Sequence, residues 1–145
     1  ADALRSGAGK VANMNDYEGV IIEESLEDKA VLARVKITAT RVEKVVEAHR
    51  TPWLSQWTLH TVEIPEGEAQ RIAEDISQSL DRAHSGAWYA DFKNATQHYI
   101  IFPDRIFLID RTSQAQYDEA RRYGIALGIP DYQVDFHPDI DEWER

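Results

Sequence analysis

The chain has 145 residues, 43% of them apolar and 29% charged, with 7 Gly and 5 Pro. That balance can bury one core and excludes a disordered, collagen-like or low-complexity chain. The 26 Asp and Glu against 16 Lys and Arg give a net charge of −10, which repels phosphate backbones and argues against a nucleic-acid partner. No run approaches the roughly 18 apolar residues that span a bilayer, and with no cysteine there is no disulfide, thiolate metal site or thiol nucleophile, which fits a reducing cytoplasm.

Residues 1–13 are small, polar and Gly/Ala-rich and lack the apolar core of a secretory signal. Gly7-Ala8-Gly9-Lys10 ends like a phosphate-binding loop, but Leu4 and Val11 stand where that loop needs Gly and Ser or Thr. This stretch reads as a flexible extension or leader, followed by a single domain over 14–136 and an acidic tail over 137–145. The β-branched run Gly19–Glu23 predicts a first strand, and Ser25 with Asp28 predicts a capped helical turn through Leu32. From Arg34 to Val46 the pattern alternates and then changes phase, which predicts a strand with a bulge near Thr40–Arg41. Gln56–Ile64 predicts a third strand, with Trp57 and Leu59 on one face and His60, Val62 and Ile64 on the other, closed by Pro65.

Ala69, Ile72, Ala73, Ile76 and Leu80 form one apolar stripe and predict a helix over Glu66–Leu80. Three short strands follow, Ala87–Lys93, Gln97–Phe102 and Ile106–Asp110, joined by links of hairpin length. Pairing Lys93 with Gln97 and Pro103 with Ile106 would send Trp88, Ala90, Phe92, Ile100, Phe102, Phe107 and Ile109 to one face. Ser113 and Gln116 predict a capping box for a second helix, with Ala120, Tyr123 and Leu127 inward and a stop at Gly128 and Pro130. Gly124 within it predicts close packing. The order of elements predicts the α+β class, a mainly antiparallel sheet with two helices packed on one face.

The segments Trp57–Ile64 (WTLHTVEI), Trp88–Phe92 (WYADF), Ile100–Phe102 and Tyr123–Pro130 (YGIALGIP) carry a resemblance over roughly Tyr17 to Phe136. In them the chain resembles a family of small bacterial and archaeal proteins of uncharacterised activity. The resemblance implies a compact cytosolic domain and brings no catalytic role, substrate or cofactor with it.

The expected register places Tyr89, Asp91, Tyr99 and Asp110 on the second face of the three-stranded ribbon, with Asp91, Tyr99 and Asp110 in one row about 5 Å apart. Two carboxylates flanking a phenol can shift one another's pKa or hold a hydroxylated or cationic ligand; the alternative is a wet sheet face. His60 and His98 are the candidate proton carriers, and with Asp91 they would make a motif-free metal site only if they met in space. No metal and no cofactor are expected. Trp53 and Trp57, near Arg50 and His60, could line a groove or plug the core. Ile101, Ile106 and Leu108 on the same second face call for cover by another element or a partner chain. The function expected first is therefore a cytoplasmic interaction or regulatory module that self-associates, as a homodimer or other homo-oligomer, through its sheet face or an edge strand. The alternative is a small enzyme or ligand-binding protein using the carboxylate–tyrosine row, its ligand unknown.

Overall fold

The computed structural model describes residues 15–47, 51–84 and 88–134; the N-terminal stretch, His49, Arg50, Ser85, Gly86 and the acidic tail with His137 lie outside them. Strands β1 (Tyr17–Ile22), β2 (Lys36–Lys44), β3 (Gln56–Ile64), β4 (Ala90–Lys93), β5 (Gln97–Phe102) and β6 (Arg105–Asp110) form one sheet in the order β2-β3-β1-β4-β5-β6. Every neighbouring pair is antiparallel. Helix α1 (Ala69–Ser79) lies between β3 and β4, and helix α2 (Gln114–Leu127) follows β6. The α+β class with an antiparallel sheet is the architecture of this chain.

The first strand begins at Tyr17 and stops at Ile22, two residues earlier at its start than the β-branched run suggests. Beyond it, the Glu24 carboxylate accepts hydrogen bonds from the Thr58 backbone N–H (2.6 Å) and hydroxyl (2.8 Å). A side chain there takes over a partner position that a longer β1 would fill. Asp28 caps the 3₁₀ segment Lys29–Arg34 by accepting from the Ala30 N–H. The irregularity in β2 sits between Ile37 and Ala39 rather than at Thr40–Arg41. It brings Ile37 (opposite Val62), Thr40 (opposite His60) and Val42 (opposite Thr58) to one face of the sheet.

The first hairpin overturns the expected register. Lys93 pairs with His98, not Gln97, and Phe92 with Tyr99. The cause is Asn94: its side-chain oxygen accepts from the N–H groups of Thr96 and Gln97, at 3.0 and 2.8 Å, while its own N–H donates to the Gln97 carbonyl. This Asx-type turn sets Asn94 opposite Gln97 and leaves Ala95 and Thr96 as the loop. A one-residue slip reverses a strand's faces, so Trp88, Ala90 and Phe92 do not share a side with Ile100, Phe102, Phe107 and Ile109. The second hairpin pairs Phe102 with Arg105, a shift that preserves the faces of β5 and β6.

The helices accordingly do not share a face. Both sides of β5 are buried from His98 to Phe102, and a strand buried on two sides needs a layer on each. One core joins Ile72, Ile76 and Leu80 of the α1 region to Tyr17, Ile21, Phe92, Tyr99 and Ile101. The other joins Tyr117 and Ala120 of α2 to Ile100, Phe102, Phe107 and Ile109. The apolar second face of the ribbon is thus covered from within the chain: Ile101 is buried, Ile106 packs at the margin, and Leu108 alone is well exposed. Gly124 packs closely, as its place in the helix predicts; an added Cβ would lie 2.9 Å from Val134 and 3.2 Å from Phe102. Gly128 ends α2 in the left-handed region, φ 105°.

Candidate functional site

The row of Asp91, Tyr99 and Asp110 does not exist, because Asp91 faces α2 while Tyr99 faces α1. Tyr99 donates its hydroxyl to Gln70 of α1 at 3.1 Å, and burial pushes its phenol above the usual tyrosine value. Asp110 turns back on its own loop, accepting from the Thr112 N–H (2.9 Å) and hydroxyl (2.8 Å), which holds its carboxyl low. Tyr89 donates its hydroxyl to the Gln133 carbonyl beyond α2. Trp57 belongs to the core, with its indole N–H on Thr51 Oγ1 at 2.9 Å.

Two of the six predicted residues do meet. His98 Nε2 lies 2.8 Å from Asp91 Oδ2, and His98 Nδ1 lies 3.0 Å from the Tyr117 hydroxyl. An ionised carboxylate only accepts, so Nε2 carries the hydrogen toward Asp91 and Nδ1 accepts from the phenol. Burial pulls the His98 pKa down, against the opposing pull of Asp91. All three side chains are buried between the sheet and α2. Sealed from solvent, the trio fixes α2 on the sheet. Sequence reasoning missed Tyr117, which is a phenol on the inner stripe of α2 and becomes visible only once β4 is in its true register.

His60 lies apart from His98, on the face of β3 that it shares with Val62. Its Nε2 is 2.8 Å from Glu23 Oε1 and its Nδ1 is 2.9 Å from Thr40 Oγ1. The relay ties β2 to the turn that follows β1. His60 and His98 therefore complete no site together, and among the described residues no group of three or more His, Cys, Asp or Glu could hold a metal ion.

The most accessible element is β2. It is an edge strand bonded to β3 alone, and of its nine residues all but Glu43 are exposed. Ile37 is 41% and Val42 56% exposed, and both stand on the face that carries Thr40 and His60. On the opposite face Lys36 lies 3.6 Å from Glu63, and Arg41 lies 2.8 Å from Glu43. The opposite edge, β6, is shielded differently: Arg105 lies over the rings of Phe107 and Tyr123, at 4.5 and 5.4 Å, and α2 packs alongside. No family model, curated protein or solved structure matches the chain. No helix among the described residues is long and apolar enough to cross a membrane.

Proposed function

We propose that the chain is a self-associating interaction module that forms a homodimer by joining β2 of two copies into a continuous antiparallel sheet. The observation that carries this is the long edge strand, exposed on both faces, with Ile37 and Val42 brought to one side by the irregularity between Ile37 and Ala39.

Charged residues on an edge ordinarily discourage pairing. Here they favour one register. Joining antiparallel strands about a twofold axis normal to the sheet keeps each face with its like. Setting Ile37 opposite the second copy's Val42 then sets Lys36 opposite the second copy's Glu43, on the other face. Both contacts occur twice. Opposite charges and apolar pairs directly across an antiparallel ladder are each worth about 0.2–1 kcal/mol beyond the backbone hydrogen bonds. The net charge of −10 argues against a nucleic-acid partner, and the lack of cysteine is compatible with work in the cytoplasm.

Light scattering with Lys36→Glu and Glu43→Lys tests the reading. Each variant alone sets like charges opposite one another at both symmetric positions and is expected to be monomeric at tens of micromolar, where the parent chain is dimeric. An equimolar mixture restores Lys–Glu pairs at both positions and is expected to form a heterodimer. The lost ion pairs within each chain are exposed and worth little. A monomeric parent chain at that concentration, or single variants that dimerise as well as the parent, would overturn the proposal.

A further inference from the structure

Beyond the end of β2, a recess of about 830 Å³ opens between the β2–β3 connection, the loop after α1 and the C-terminal end of α2. Its volume is in the range of sites for drug-sized molecules, about 300–1,000 Å³. Val45, Val46 and Leu54 supply aliphatic walls, and Trp53 and His84 supply aromatic ones. The Trp53 indole and the His84 imidazole are stacked, with ring centroids 3.8 Å apart and planes inclined by 13°. Trp53 also meets Trp88 edge-on at 6.5 Å.

Two polar groups on these walls have unused capacity. Asp81 Oδ2 lies 2.7 Å from His84 Nδ1, and Asp81 Oδ1 accepts from the Ala83 N–H at 2.9 Å. Burial raises the Asp81 pKa, but the hydrogen bond from His84 and, at the acid pH where Asp81 titrates, the charge of the protonated ring outweigh it, and the carboxyl stays below its usual range. A carboxylate on Nδ1 fixes the neutral imidazole as the Nδ1–H tautomer, which leaves an Nε2 lone pair that meets no donor among the described residues. Thr51 is 1% exposed. Its Oγ1 accepts from the Trp57 indole N–H, and its hydroxyl proton meets no acceptor among the described residues. A buried donor without a partner is destabilising, and a ligand's acceptor atom would satisfy it.

We infer that the recess binds an uncharged aromatic compound of about two rings that carries a hydroxyl group. The rings pack against the aliphatic and indole walls. A hydroxyl group, with donor and acceptor on a single atom, can donate to the imidazole lone pair and accept from the threonine hydroxyl. Glu47 on the same recess and Asp81 behind His84 disfavour a carboxylate in its place.

The probe is 2-naphthol, followed by calorimetry and by the indole N–H resonances of the full chain. Saturable binding that shifts the Trp53 indole signal is expected, with 2-methoxynaphthalene about tenfold weaker for want of a donor and 2-naphthoate weaker still. His84→Ala and Thr51→Val are each expected to weaken 2-naphthol about tenfold, with the far-UV spectrum unchanged. Thr51→Val keeps the side-chain shape, so it still tests the inference if His84→Ala disturbs the stack. Glu43→Lys lies off the recess and should leave binding unchanged, so failure of the dimer and failure of this site are separately visible. No saturable binding up to 1 mM, equal binding of the methoxy compound, or Thr51→Val and His84→Ala variants that bind like the parent chain would overturn the inference.

Discussion

His98 is the side chain whose surroundings demand most of it. It is fully buried and bonded at both ring nitrogens, with Lys93 and Arg111 close enough to oppose its protonation. Its folded pKa therefore lies below the value of 6.5 that it has when exposed. Between the two values the unfolded chain holds a proton that the folded chain does not. Stability contributed by neutral His98 is complete above about pH 6.5 and is lost as pH falls below it, by at most about 1.4 kcal/mol per pH unit. The lowered carboxyls of Asp81, Asp104 and Asp110 act in a separate, more acidic window, below their ordinary value of 3.8. Urea unfolding between pH 7.5 and 5 is expected to show the midpoint falling with pH. In His98→Gln, whose amide can still donate to Asp91 and accept from Tyr117, the slope should flatten, at a cost of about 1–2 kcal/mol at pH 7.5. An unchanged slope in the variant would show that His98 does not carry the dependence. In the sequence, His98 and Asp91 were both visible as candidates, but their partnership was not. It depends on a hairpin register set by the side chain of Asn94, which composition and alternation do not report.

At the level of elements, legibility followed the strength of local signals. β3 has the predicted bounds, because a clear alternation ends at a proline. The apolar stripe of α1 is buried as its spacing requires, and only the first turn differs, with Glu66–Glu68 forming a 3₁₀ turn before the helix proper. The side of the sheet each helix covers was not legible, because β5 is apolar at both parities and such a pattern fits either side. The capping box before α2 is half formed. Ser113 Oγ accepts from the Gln116 N–H at 3.2 Å, whereas the Gln116 side chain accepts from the Asp110 N–H at 2.7 Å instead of reaching Ser113. Gln116 is thereby committed to the end of β6. Ser113→Ala removes the cap and is expected to cost about 1 kcal/mol; Gln116→Ala should cost a similar amount by freeing the Asp110 N–H. Thermal unfolding of the two single variants and the double variant would check this. Additive losses are expected, since the two bonds serve different backbone groups; a strongly non-additive double variant would mean that the reciprocal box forms after all.

Across the whole molecule, the backbone ladder of the described residues joins the strand groups β2-β3-β1 and β4-β5-β6 where β1 lies beside β4, through Glu18–Lys93, Gly19–Phe92 and Val20–Asp91. Gly19 is the tight point of that joint. A Cβ there would lie 2.6 Å from Phe92 Cα and closer still to the Asp91 carbonyl oxygen. These are mostly backbone atoms that cannot rotate aside, so Gly19→Ala must push β1 and β4 apart. Phe92 belongs to the α1-side core, while Asp91 holds His98 beneath α2. Strain at this one joint therefore reaches both layers. Overpacking of this kind typically costs about 1–3 kcal/mol and sometimes more, and with backbone as the obstacle the upper end is expected here. The loss should also be shared. Fluorescence of Trp57 and Trp88 reports on the α1 side, and exchange protection of the α2 amides reports on the other. In Gly19→Ala both are expected to fall together as one cooperative transition. If the α2 amides instead kept their protection at denaturant concentrations where the tryptophan signal had already changed, β1 would not be the element that couples the two cores.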